Sequence, residues 1–210
     1  MTTTPTTLIG LCGPAGSGKD SVRSILEMHN DFAGLAFAEP IREMLRELLT
    51  FNGCSADHIT QRELKETPVP GLGVSYRHMA QTLGTEWGRN CLGENFWLRV
   101  ADAYMTHLRS HGYRHFVVSD VRFANEAAWV RARGGVLWLI DRPGVQPVRQ
   151  HISEAMPFEA DRVLHNHGSL PDLRRVVHDA LLHLPADLAA QRAAKATPTD
   201  NTANSTATEA

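Results

Sequence analysis

The chain has 210 residues, 42% of them hydrophobic and 21% charged, with a formal net charge of −2. That length supports one substantial core and roughly one domain of about 150–200 residues. The near-neutral balance excludes the electrostatic footprint of a non-specific nucleic-acid or membrane-surface binder.

No apolar run approaches the roughly 18–20 residues that span a bilayer. The polar start MTTTPTT is expected to be frayed (residues 1–6) rather than a secretory signal. Cys12, Cys54 and Cys91 are widely spaced and form no C-x-x-C pair, which points to a reducing cytoplasm.

In chain order, Leu8–Cys12 is a short apolar run that ends at glycine and reads as a buried parallel strand. A helix is expected over Asp20–His29. The apolar segment Leu35–Ala38 precedes Pro40, which suits the first turn of a second helix. There Ile41, Met44, Leu45, Leu48 and Leu49 carry the spacing of one buried face. Asn52–Val74, with its glycines and prolines, reads as loop or short irregular helix. Helical patterns return over Tyr76–Leu83 and Glu94–Arg109.

His115–Asp120 is a strand that ends on an acid. A helix over Asn125–Arg133 follows, closed by Gly134-Gly135. Val136–Ile140 is the next strand, Arg162–Asn166 the last, and Pro171–Leu184 a terminal helix. From residue 185 to 210 the composition turns small and polar, and a disordered tail is expected. The globular domain is therefore expected over 7–184. Alternating strands and helices argue for a parallel sheet covered on both faces, with ligands at the carboxyl ends of its strands. Gly13–Asp20, Asp120 and Arg142 all fall at such ends.

The first of these, GPAGSGKD, has the form of a phosphate loop. Its glycines let backbone N–H groups converge on an anion, and the next helix adds its positive end. Lys19 then reaches the β/γ-phosphates as a point charge. Where the strict pattern ends in a hydroxyl, this chain has Asp20. A carboxylate facing triphosphate oxygens is repulsive unless a cation lies between, so Asp20 makes magnesium more necessary.

Asp120 suits a second magnesium-organising acid; its alternative is a helix-cap or turn aspartate. Arg122 brings a cation beside it. Arg77, Arg89, Arg142 and Arg149 lie in similar strand-end or glycine-rich segments, where phosphate contact is expected. Among eleven histidines, His107 and His111 lack an H-E-x-x-H frame, and His165 and His167 show no third ligand nearby, so no histidine metal site is expected. Cys12 reads as a small core residue.

Several segments together resemble the bacteriophage deoxynucleoside monophosphate kinases. They are GPAGSGKD, FAEPIREML, RHMAQTLGTEWGR, ENFW, SDVRFANEAAWVRARGG, IDRPG, HISE and HNHGSLPDL, which run in order through nearly the whole globular part. Animal-type phosphomevalonate kinases are also similar and share G-K-D, so Asp20 is a family trait.

The resemblance implies a P-loop NTPase three-layer α/β fold. A central parallel five-stranded sheet would carry helices on both faces, with acceptor-binding and lid insertions. It implies magnesium-dependent transfer from ATP to a deoxynucleoside monophosphate. Gly13, Gly16, Ser17, Gly18 and Lys19 would hold ATP phosphates, with Asp20 and Asp120 near Mg2+. Arg77, Gln81 and Trp97, with Asp120, Arg122 and Glu126, would bind the acceptor; Lys19, Asp120, Arg122 and Arg142 would be catalytic, with Arg142 at the start of a lid over about 142–160.

Ala15 replaces a basic residue found in some relatives, so one phosphate contact is expected to be absent or to come from elsewhere. The segment between Leu49 and Tyr76 is shorter than in the larger relatives. The resemblance also suggests a homodimer in the cytoplasm, with no stable nucleic-acid or membrane partner. Two other functions stay open: a kinase of another phosphorylated small molecule, phosphomevalonate-like, and a regulatory or DNA-associated P-loop ATPase.

Overall fold

The computed structural model describes residues 6–28, 32–145 and 157–196, with side chains described through residue 189. Most of the expected lid, including Arg149, lies outside the described residues. So do residues 1–5 and 197–210 of the expected disordered ends.

Five strands, β1 (Thr7–Cys12), β2 (Phe32–Leu35), β3 (His115–Val118), β4 (Val136–Asp141) and β5 (Arg162–His165), form one sheet in the order β2-β3-β1-β4-β5. Every pairing is parallel. The helices are α1 (Lys19–Glu27), α2 (Glu39–Phe51), α3 (Asp57–Thr60), α4 (Tyr76–Gln81), α5 (Phe96–Ser110), α6 (Ala124–Ala132) and α7 (Leu170–Ala196).

Successive strand residues point to opposite faces, and the core divides accordingly. Leu8, Phe116, Val118 and Leu137 join the cluster under α2, α5 and α6. Ile9, Leu11, Val117, Trp138 and Ile140 join the one that takes in α1 and α7. Burial on both faces explains why β1, β3 and β4 read as continuous apolar runs. It also brings the ends of β1, β3 and β4 to one edge, where the expected site residues sit.

Three expectations need correction. On α2 only Ile41, Leu45 and Leu49 are buried, while Met44 and Leu48 are each more than 40% exposed. The i, i+4, i+8 row meets the core, and the neighbouring row lies on its outer flank. Between α4 and α5 the chain does not leave helical form: Thr82–Cys91 is a π-helical segment. A Cβ on Gly88 would collide with the Trp97 indole, so this glycine permits close packing.

Finally, the terminal helix does not stop at Leu184. It runs through Pro185 to Ala196, because Leu184 and Leu188 stay on the buried face and Asp187 accepts from Arg162 at 2.8 and 2.9 Å.

Candidate active site

The phosphate loop joins the buried end of β1 to α1. Gly13, Gly16 and Gly18 adopt φ of 133°, 84° and 105°, a region other residues seldom enter. Gly13 also has no room for a side chain, since a Cβ there would lie 2.7 Å from the Ile140 carbonyl oxygen. Lys19 folds back over the loop, its Nζ donating to the Gly13 and Pro14 carbonyls at 2.7 and 2.8 Å. Burial, and then neighbouring Arg122, pull its pKa down to about 8 against the opposing pull of Asp20 and Asp120.

Two observations mark the loop as a fitted cradle. The Ser17 hydroxyl is fully buried without a hydrogen-bond partner. A buried hydroxyl left unpaired is costly, and a phosphate oxygen would satisfy it. The Asp20 carboxylate, exposed at the loop's end, has no side-chain partner among the described residues, as suits a group that waits for a cation. The loop is braced from outside: Asn166 donates to the Ser17 carbonyl at 2.8 Å, and Arg142 to the Gly16 carbonyl at 3.3 Å.

Asp120 is 8% exposed at the end of β3. Its two oxygens accept from the backbone N–H groups of Phe37 and Ala38 at 2.8 and 2.9 Å, just ahead of α2. The turn-aspartate reading thus holds geometrically, though for α2 rather than the helix that follows Asp120 in sequence. Each carboxylate oxygen keeps a further lone pair, so the same residue still offers acceptors to the cavity it lines.

That cavity, of about 430 Å3, runs from Gly16, Lys19 and Asp20 to Tyr76, Gln81 and Trp97. Seven cationic side chains and three carboxylates line it, a surplus of positive charge that suits phosphate groups. Among the described residues, Arg62, Lys65 and Arg122 make no side-chain ion pair, whereas Arg42 pairs with Glu39 at 2.7 Å and Arg77 pairs with Glu66. Arg62 stands beside the loop, its Nη1 3.2 Å from where a Cβ on Gly16 would lie.

The far wall is held by a buried ion pair. Arg89 Nη2 donates to Glu126 Oε1 at 2.7 Å, with the two side chains 9% and 5% exposed. Arg89 also stacks 3.6 Å above the Phe123 ring. Glu126 Oε2 accepts from the Arg122 and Phe123 amides at 2.7 and 3.0 Å and closes the first turn of α6. Burial, then the nearby Asp120 charge, push the Glu126 carboxyl up to about 7. Trp97 is buried, its indole N–H donating to the Gly84 carbonyl at 2.8 Å.

Of the residues singled out from sequence, Gly16, Lys19, Asp20, Arg77, Gln81, Trp97, Asp120, Arg122 and Glu126 line this one cavity. Gly13, Ser17 and Gly18 shape the loop behind it, and Arg142 lies on the loop's outer side. Arg42, Arg62, Lys65, Tyr76 and Phe123 also line it and were not singled out. The FAEPIREML segment could have signalled Arg42, but Arg62 and Lys65 sit in a stretch with no periodicity. One further expectation is overturned: His165 and His167 do have a third potential ligand, Asp141, on the adjacent strand. Burial pushes the Cys12 thiol up to about 11, consistent with an inert core residue.

The family model for deoxynucleotide monophosphate kinases matches residues 55–177. An Acanthamoeba polyphaga mimivirus protein described as "Putative deoxynucleotide monophosphate kinase" is 35% identical over 157 residues, 70% of this chain and 80% of its own length. The crystal structure of TT1252 from Thermus thermophilus superposes with a TM-score of 0.50 at 22% identity, over 86% of this chain and 99% of its own. That likeness speaks to the fold alone. By the family match and the viral relative, the chain belongs to the deoxynucleotide monophosphate kinase family and is a phosphotransferase.

Proposed function

We propose that this chain transfers the γ-phosphoryl group of ATP to the phosphate of a deoxynucleoside monophosphate, giving ADP and the deoxynucleoside diphosphate. The observation that carries this reading is one continuous cavity. It has a phosphate loop at one end, an aromatic and amide-bearing wall at the other, and unpaired cations between. A phosphate oxygen of the acceptor attacks phosphorus in line as the bond to the ADP oxygen breaks, so the protein's task is placement and charge stabilisation.

The loop amides hold the donor phosphates, and Lys19 and Arg122 stabilise charge on the moving group. Arg142, already on the Gly16 carbonyl, braces the loop from outside. Magnesium, when bound, neutralises charge across the β- and γ-phosphates. Asp20, whose carboxylate has no side-chain partner among the described residues, and Asp120, through its remaining lone pairs, would hold it.

On the acceptor side, Arg77 and Gln81 meet phosphate and base edge, while Tyr76, Trp97 and Phe123 offer ring surface. Arg89 and Glu126 hold that wall in position. An acceptor without a base would leave the rings and the Gln81 amide unanswered, which favours a nucleotide over a phosphomevalonate-like substrate. The test is a panel of acceptors with magnesium-ATP: deoxynucleoside and ribonucleoside monophosphates against phosphorylated non-nucleotides. Turnover of at least one deoxynucleoside monophosphate is expected; turnover confined to a non-nucleotide contradicts the reading.

A further inference from the structure

Outside the cavity, Asp141, His165 and His167 bring one carboxylate oxygen and two imidazole nitrogens within 4.8 Å of one another. Asp141 Oδ2 lies 3.1 Å from His165 Nδ1 and 3.2 Å from His167 Nε2. In the free protein these are hydrogen-bond contacts between Asp141 and the two imidazoles. Donors bound about 2.0–2.2 Å from one ion at tetrahedral or octahedral angles sit roughly 2.9–3.5 Å apart, so the Asp141–His165 and Asp141–His167 separations also fit ligands on a shared metal.

Strand pairing sets the ligands side by side. Asp141 and His165 are register partners in the β4–β5 pair, and the Asn166 amide donates to the Asp141 carbonyl at 2.7 Å. His165 and His167, two apart, project to the same side, while Asn166 between them is buried against the phosphate loop. All three side chains are about half exposed or more, which leaves further coordination positions open to water.

We propose that Asp141, His165 and His167 form a site for one zinc-class divalent metal ion that clips the end of β4 to the end of β5. Two imidazoles with one carboxylate favour Zn2+, Co2+ or Ni2+ over magnesium, which takes oxygen donors. The site is thus distinct from the place proposed for the reaction's magnesium. It is also joined to the phosphate loop through the residues adjoining the ligands. Arg142, after Asp141, reaches the Gly16 carbonyl, and Asn166, between the histidines, reaches the Ser17 carbonyl. An ion here therefore fastens both struts that brace the loop.

The test is calorimetric titration of Zn2+ into the full chain at neutral pH, without nucleotide and with excess magnesium present. One equivalent should bind, and Tm should rise by roughly 5–10 °C at a hundredfold excess over Kd. His165→Ala with His167→Ala should weaken binding by about 100-fold or more, with the circular dichroism unchanged. Should that pair fail to fold, Asp141→Asn and Co2+-induced broadening of the two imidazole NMR signals in the unaltered protein report on the same site. The His107→Ala, His111→Ala protein should bind as the parent does. Absence of stoichiometric uptake at millimolar zinc, unchanged uptake in the His165/His167 variant, no Co2+ effect on those imidazoles, or loss in the His107/His111 variant would each overturn the proposal.

Discussion

The two ends of the cavity are built differently. The phosphate loop is made by eight consecutive residues, and the groups we propose for phosphate binding are its backbone amides, shaped by three glycines at positive φ. The acceptor wall is assembled from α2, the stretch after α3, α4, the π-helical segment, α5 and the start of α6, and it works through side chains. Its shape depends on a buried ion pair, Arg89 with Glu126, whose members lie 37 positions apart. A site made from local backbone is robust to what surrounds it, whereas a wall of distant side chains is only as precise as the contacts that fix each one. Damage to the loop should therefore appear in turnover with the fold intact. Damage to the wall should appear in stability and acceptor affinity together.

The sharpest way to break that contrast is Lys19→Ala. It should lower kcat by about a thousandfold or more while the melting curve stays close to the parent's; near-normal turnover would dissolve the loop's role. Next is Glu126→Ala, which takes the carboxylate partner from Arg89 in a buried wall and removes the one oxygen that accepts from the Arg122 and Phe123 amides just ahead of α6. Denaturant unfolding should show a loss of about 3–5 kcal/mol, with a raised acceptor KM. A loss confined to KM would mean that the ion pair does not hold the wall.

A smaller effect comes from pH. Bound phosphate favours the charged form of Lys19, whose pKa in the free protein is pulled down to about 8. Below that value the lysine is already protonated. Above it, binding must take up a proton, so ADP affinity measured by calorimetry should fall by about tenfold per pH unit. A flat profile through pH 8 to 10 would remove Lys19 from phosphate binding. The smallest effect is that of Ser17→Ala. Its hydroxyl is buried without a partner, so stability should hold or rise by about 1 kcal/mol. ADP binding should weaken by about tenfold or less.

The same contrast explains what could be read in advance. The parallel sheet was legible because β1, β3 and β4 are apolar on both faces, and the loop because its pattern is contiguous. Asp120 was visible as an acid at a strand end, but its hold on the amides ahead of α2 depends on β2 and β3 lying side by side. Arg62 and Lys65 could not be found from periodicity, since they occupy an irregular segment that only the fold carries to the loop. Asp141 was missed as a partner for His165 and His167 because 24 residues separate it from the nearer histidine, though strand pairing sets them directly opposite. The length of α7 was misread because a proline and small residues outweighed Leu188, which the core nonetheless buries.

The central claim, that loop and wall serve two substrates of one transfer, is tested most directly by 31P NMR of the unaltered protein with magnesium-ATP and a mixture of deoxynucleoside monophosphates. The account predicts ADP and a deoxynucleoside diphosphate appearing in equal amounts, and neither when the acceptors are withheld. ADP formed with inorganic phosphate at the same rate with or without acceptor would contradict it.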